Sequence, residues 1–256
     1  MLKLMKYEFI HSMRSFFISF CVFWGACLLL PFFTEGLIPD IPILSFMMAF
    51  GFTALVMGIS IALFVSIFTH YYHSMFKRPA YLTLTLPVSS LQLIISKLIV
   101  SFVWLILGGI ALMFGVLLMG VMMSLLTHNM SIMQIFQGIP EVFKGLGQMF
   151  MNQPGESLLS LIYMIVETYA LIISIYFALT LAHTALCRHH RLAVGICIWI
   201  VLGIIFSWIQ FVLSGMSIAS FEWYGIPVTF MFIDLFFNVI LTFVTVYILD
   251  YHIEIE

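Results

Sequence analysis

Charge is what this sequence has least of. Asp, Glu, Lys and Arg make up 8% of its 256 residues, against 64% apolar residues, and the formal net charge is −2. A water-soluble domain carries roughly 25% charged residues, so this chain cannot cover a water-facing surface. Its nine Lys and Arg form no basic stripe of the kind that tracks a phosphate backbone, which excludes nucleic-acid binding. Disorder needs low hydrophobicity and high charge, and is excluded on the same ground. Cysteine is scarce too. Cys21, Cys27, Cys187 and Cys197 fall in apolar runs or beside one basic loop, with no disulfide framework or zinc spacing. No G-x-x-x-x-G-K-[ST] phosphate loop occurs, so the chain is not expected to hydrolyse ATP itself. His70 and His73, or His183, His189 and His190, lack the carboxylates of a metal site. Gly58-Ile59-Ser60-Ile61 lacks the closing glycine and the deep general base of an intramembrane protease. No catalytic residue, cofactor or metal ligand is expected.

Long apolar runs are what the sequence has in excess. Crossing a hydrocarbon core of about 30 Å takes about 20 mostly apolar residues. Six segments qualify, at about 16–34, 46–70, 98–126, 158–183, 192–214 and 227–250. Each must be helical, because an unpaired backbone amide in lipid costs several kcal/mol. The expected fold is therefore all-α, a polytopic membrane protein with six transmembrane helices. Lys3, Lys6 and Arg14 precede the first span. Lys77, Arg78 and Lys97 lie between the second and third, and Arg188 and Arg191 between the fourth and fifth. Only Lys144 lies opposite. Eight of nine basic residues thus share one side, which the positive-inside rule makes the cytoplasm, with both termini inside.

Before the first span, Leu2, Met5, Phe9, Met13 and Phe16 recur at helical spacing, with Lys3, Lys6 and Arg14 on other faces. This predicts a basic amphipathic helix over 1–15 in the inner interface, an anchor or a force-transmitting lever. The inner loop 71–97 carries Ala80 to Leu86 between Pro79 and Pro87, too short and threonine-rich for a span. Ser89-Ser90-Leu91-Gln92 is a capping-box pattern that opens the third helix. The outer loop 127–157 carries a helical stripe, Ile132, Phe136, Ile139, Phe143, Leu146 and Phe150.

Two acids lie inside spans. An ionised group at mid-bilayer costs at least about 2.5–3.5 kcal/mol, so Glu167 and Asp234 require partners or a role. Glu167 belongs to a stripe with Ser160, Tyr163, Ala170, Ser174 and Ala178. Asp234 continues with Asn238, Thr242 and Thr245, and the fifth span offers Gly203, Ser207, Gln210 and Ser214. All three stripes are expected to face the bundle, either as interhelical hydrogen bonds or as a substrate path made of Glu167, Ser174, Gln210, Asp234 and Asn238. In the second span, Ala54, Gly58, Ala62 and Ser66 are small residues that let a helix approach closely.

With Leu4-Met5-Lys6-Tyr7-Glu8-Phe9 ahead of six spans, the tract Tyr81-Leu82-Thr83-Leu84-Thr85-Leu86-Pro87-Val88-Ser89, then Gln92-Leu93 and Ser96-Lys97, the chain resembles the permease subunits of bacterial type 2 ATP-binding-cassette exporters. The resemblance spans essentially the whole chain. It implies a multi-pass protein of the bacterial cell membrane, paired with a second copy or a sibling permease. It also implies a separate ATPase subunit that holds ATP and Mg. The coupling element would be about Pro79 to Pro87, with Lys77, Arg78, Pro79, Tyr81, Leu82, Leu84, Leu86 and Pro87 meeting the ATPase. Closure of the ATPases would then move the bundles between inward- and outward-open states. The chain departs from the polysaccharide exporters of that family in lacking a strongly polar pathway. Its methionine-rich surfaces favour an amphipathic peptide, such as an antimicrobial one, or a lipophilic drug, and the two acids would tolerate a cationic one. The alternatives are an ATP-independent carrier that uses the intramembrane acids, and an immunity protein that sequesters a peptide.

Overall fold

The computed structural model describes residues 2–35, 42–77, 89–127, 133, 140, 143–145, 147–148, 150–184, 191–214, 222–223 and 226–251. The six apolar runs become α1 (Leu2–Glu35), α2 (Pro42–Phe76), α3 (Ser90–Thr127), α4 (Pro154–Ala182), α5 (Arg191–Ser214) and α6 (Val228–Tyr251). Each is long and apolar enough to cross a membrane. A minimal antiparallel ribbon precedes α6, with β1 (Glu222–Trp223) paired to β2 (Ile226–Pro227). The molecule is thus helical and built as a multi-pass membrane protein. Its exposed side chains are large and apolar, including Phe17, Val22, Ile61, Trp208, Phe236 and Phe243, while Glu8, Ser96, Lys97, Asp234, Asn238 and Thr245 are buried. That inverts the arrangement of a water-soluble domain.

Two local expectations change. The interfacial helix over 1–15 and the span that follows are one continuous helix, α1. Glu8, Ser12, Phe16, Phe20, Phe23, Cys27 and Pro31 are its buried positions among the described side chains, whereas Met13 of the predicted apolar stripe is 48% exposed. The predicted apolar stripe does not include Glu8 and Ser12. Both find partners within the protein, which removes the penalty for burying them. Likewise, the connection 71–97 is helical at both ends, because α2 runs to Phe76 and α3 opens at Ser90. The predicted cap is present, with the Gln92 backbone N–H donating to Ser89 Oγ at 3.4 Å. Lys97, expected in that connection, is instead a fully buried residue of α3.

The chain forms two compact units. One comprises Met1–Glu8, Ile67–Phe102 and Gln153–Glu256, the other Phe9–Ser66 and Val103–Asn152. In the second unit, α1 and α3 meet around Trp104. Its indole stacks on Phe9 and Phe16 with centroids 4.7 and 4.6 Å away, and its N–H donates to Ser12 Oγ at 2.8 Å. Further along, the Trp24 indole N–H donates to the Ala111 carbonyl at 3.0 Å. Each indole therefore satisfies its one donor while burying its rings, as an aromatic side chain in an apolar core requires.

In the first unit α4 packs against both α5 and α6. Ile172, Ile173, Ile175, Tyr176, Ala178, Leu179 and Thr180 are all buried. Over 172–182 the helix is buried on nearly every side and is central there, whereas Leu158, Leu161, Met164 and Ile165 earlier in it are exposed. The polar groups of the first unit are arranged around it.

Candidate functional site

Two polar groupings stand out in the first unit. One gathers where α2 ends and α3 begins, the two helix ends that flank residues 78–88. Glu8 on α1 places Oε1 2.5 Å from Lys97 Nζ of α3 and Oε2 3.1 Å from His70 Nε2 of α2. Lys97 also donates to Ser74 Oγ of α2 at 2.8 Å. Four side chains from three helices thus share one buried ionic cluster. An ammonium ion in an apolar interior is tolerated only when a counter-charge and hydrogen-bond acceptors surround it, and Glu8 and Ser74 supply them.

An aromatic layer adjoins the cluster. Tyr71 of α2 and Tyr176 of α4 stack with centroids 3.9 Å apart and planes 10° from parallel. Each hydroxyl is satisfied. Tyr71 shares a 2.9 Å hydrogen bond with Thr180, and Tyr176 bonds Ser101 at 2.8 Å and donates to the Lys97 carbonyl at 3.2 Å. Phe76 stacks on His183, whose Nδ1 lies 2.8 Å from the Leu179 carbonyl. Lys77 lies over the Tyr72 ring, 5.3 Å from its centroid. On the α3 side, Ser90 hydrogen-bonds Asp250 near the end of α6. The two helix ends around residues 78–88 are therefore tied through side chains to α1, α4 and α6.

The other grouping lies along α4, α5 and α6. Asp234 is 5% exposed and receives hydrogen bonds from Gln210 Nε2 of α5, at 3.2 Å to one oxygen and 3.3 Å to the other. The Glu167 and Asp234 carboxyl groups are near enough for their charges to interact, and the Tyr163 phenol lies beside Glu167. One turn along α6, Asn238 is 1% exposed, and its amide nitrogen has no hydrogen-bond partner among the described residues. The next turn is closed off, since Tyr169 of α4 hydrogen-bonds the Thr242 hydroxyl.

Of the sequence-predicted path, Asp234, Gln210 and Glu167 come together and Asn238 follows them. Ser174 does not join them. It accepts the Trp199 indole N–H at 3.1 Å. The fifth-span stripe faces the bundle only in part, since Gln210 meets Asp234 while Gly203 and Ser207 are exposed. Ser207 donates to the Gly203 carbonyl of its own helix at 2.8 Å and needs no partner from another. The small-residue row of α2 is mixed, with Ala54 and Gly58 exposed and Ser66 buried. Among the residues assigned to ATPase coupling, Lys77 is described, while Arg78, Pro79, Tyr81, Leu82, Leu84, Leu86 and Pro87 lie outside the described residues. Of the outer-loop stripe, Phe143 and Phe150 are described, and both are exposed.

The ionic cluster was not assigned from the sequence, although a signal was there. Glu8 is the only acid before Glu35, and Lys97 is the only charged residue between Arg78 and Glu141. A lone acid and a lone base beside separate apolar runs are candidates for one buried pair. No protein-family model, curated protein or solved structure matches this chain.

Proposed function

We propose that the chain is the membrane permease subunit of a bacterial ATP-binding-cassette exporter. In this reading a separate ATPase subunit binds ATP and Mg and seats on residues 79–87 at the cytoplasmic face. The permease works as a homodimer or beside a sibling permease, and moves an amphipathic peptide or lipophilic compound outward through the cell membrane. The observation that carries the reading is the buried cluster of Glu8, His70, Ser74 and Lys97. It ties together the two helix ends from which residues 78–88 extend. A displacement applied to that segment reaches α1 and α4 through paired side chains rather than through loose loops. Closely packed elements pass on such a shift because cores have discrete arrangements and do not deform continuously. Six helices with apolar exteriors support the membrane setting.

The first test is whether a neighbouring gene encodes an ATPase with a phosphate loop; that subunit is then co-expressed, followed by purification and transport in inside-out vesicles. The reading expects the two subunits to co-purify, and a cationic amphipathic peptide to accumulate only when ATP is hydrolysed. Leu84→Asp should abolish co-purification while leaving membrane insertion intact. Transport that ignores ATP but collapses with the proton gradient would replace the exporter with a secondary carrier. Peptide binding without any ATPase partner would favour a sequestering immunity protein.

A further inference from the structure

Among its described residues the first unit buries two carboxylates, Glu8 and Asp234, and treats them differently. Glu8 meets Lys97 and His70. Asp234, just as buried, meets no cation among the described residues, only the neutral amide of Gln210. The sequence explains why. No Lys or Arg occurs between Lys144 and Arg188, or anywhere after Arg191. The nearest basic residue along α5, Arg191, lies about 28 Å from Gln210. At the level of Asp234, helices α4, α5 and α6 therefore hold two carboxyl groups, Asp234 and Glu167, and no Lys or Arg. A buried carboxylate without a counter-charge is costly in an apolar medium, and intramembrane acids as a rule mark substrate or ion paths.

The surroundings leave capacity for a ligand. A carboxylate offers about four lone-pair sites, and one amide fills two of them here. Asn238, on the same buried face one turn away, keeps an amide nitrogen without a partner among the described residues. Glu167, Gln210 and Tyr163 are half-buried, so the layer is not fully enclosed by the protein.

We infer that Asp234, with Gln210, Glu167 and Asn238 around it, is a binding site for the ammonium group of an amphipathic organic cation. Asp234 supplies the counter-charge and Glu167 guards the approach. Asn238 offers an amide donor to an oxygen of the same ligand. The apolar body of the ligand lies in the surrounding lipid, which the exposed apolar side chains of α5 and α6 face. Within the exporter reading this site takes the polar end of the substrate, yet equilibrium binding needs neither ATP nor an ATPase. A failure here and a failure of that reading are therefore distinguishable.

The experiment uses the full chain in nanodiscs of zwitterionic phosphatidylcholine, with dansylcadaverine as a fluorescent primary ammonium and its N-acetyl derivative as the uncharged control. The ammonium probe should bind more tightly than the acetylated one. Asp234→Asn should weaken it roughly tenfold, and Glu167→Gln by a smaller factor, with the control unmoved. Ser207→Ala, at an exposed position, should change nothing. Should Asp234→Asn fail to fold, competition on the unmodified chain serves instead, and dodecylammonium should displace the probe where dodecanol does not. Equal binding of charged and acetylated probes, undiminished binding by a folded Asp234→Asn, or equal displacement by the alcohol would each overturn the site.

Discussion

Lys97 and Glu8, separated by 89 residues in the chain, bring nitrogen and oxygen to 2.5 Å with neither side chain more than 8% exposed. Such a pair is worth little as net stability, because desolvating both ions offsets most of their attraction. Its consequence is specificity of arrangement. The start of α1, the end of α2 and the start of α3 have one mutual position in which both charges are answered.

Breaking this pair on one side should be far worse than removing it. Glu8→Ala strands the Lys97 ammonium in an apolar interior and should cost about 3–5 kcal/mol. Glu8→Leu combined with Lys97→Leu should recover most of that loss. Thermal unfolding in detergent, followed by size-exclusion of a fluorescently tagged chain, measures both. Equal losses for the single and double variants would contradict a charge-pair account.

The tyrosine stack separates ring from hydroxyl. Tyr176→Phe keeps the 3.9 Å stack on Tyr71 but leaves Ser101 without its Tyr176 partner, and should cost about 1–3 kcal/mol. Tyr176→Ala loses the stack as well and should cost about 3–5 kcal/mol. The same unfolding measurement ranks them. A Phe variant as poor as the Ala variant would mean that the hydroxyl's bonds to α3, not the ring's stack on α2, hold α4 in place.

In the second unit α1 and α3 approach closely at Gly115. A Cβ on Gly115 would lie 2.4 Å from a Phe23 ring carbon and 3.2 Å from Cys27 Sγ, whereas one on Gly109 meets nothing within 4 Å. Phe23 and Cys27 are both buried and cannot swing aside freely. Gly115→Ala should therefore destabilise by about 1–3 kcal/mol through overpacking. Gly109→Ala should be neutral or slightly stabilising, since alanine favours helix by up to about 1 kcal/mol over glycine. Reversal of that order would dismiss the contact.

The fold was legible because lipid leaves few choices. Apolar runs of sufficient length must be helices, and all six are. The face of α6 was legible as well, since Asp234, Asn238 and Thr245 at helical spacing are too polar for lipid and are buried. The role of Glu8 was not. Hydrophobic periodicity assigns a charged residue to the polar face, and only a partner distant in sequence reverses that assignment. Lys97 was misread for the same reason, and its position at the border of an apolar run made it look like a loop residue. The outward turn of Gly203 and Ser207 was hidden because a serine on a helix satisfies itself locally and carries no obligation to face a neighbour.

The account stands most directly on which side of the membrane residues 79–87 face. Leu84→Cys, in a chain whose four native cysteines are replaced, can be challenged with a membrane-impermeant maleimide in intact cells and in inside-out vesicles. The account predicts labelling in the vesicles alone, and protection once the ATPase subunit is bound. Labelling from outside intact cells would contradict it.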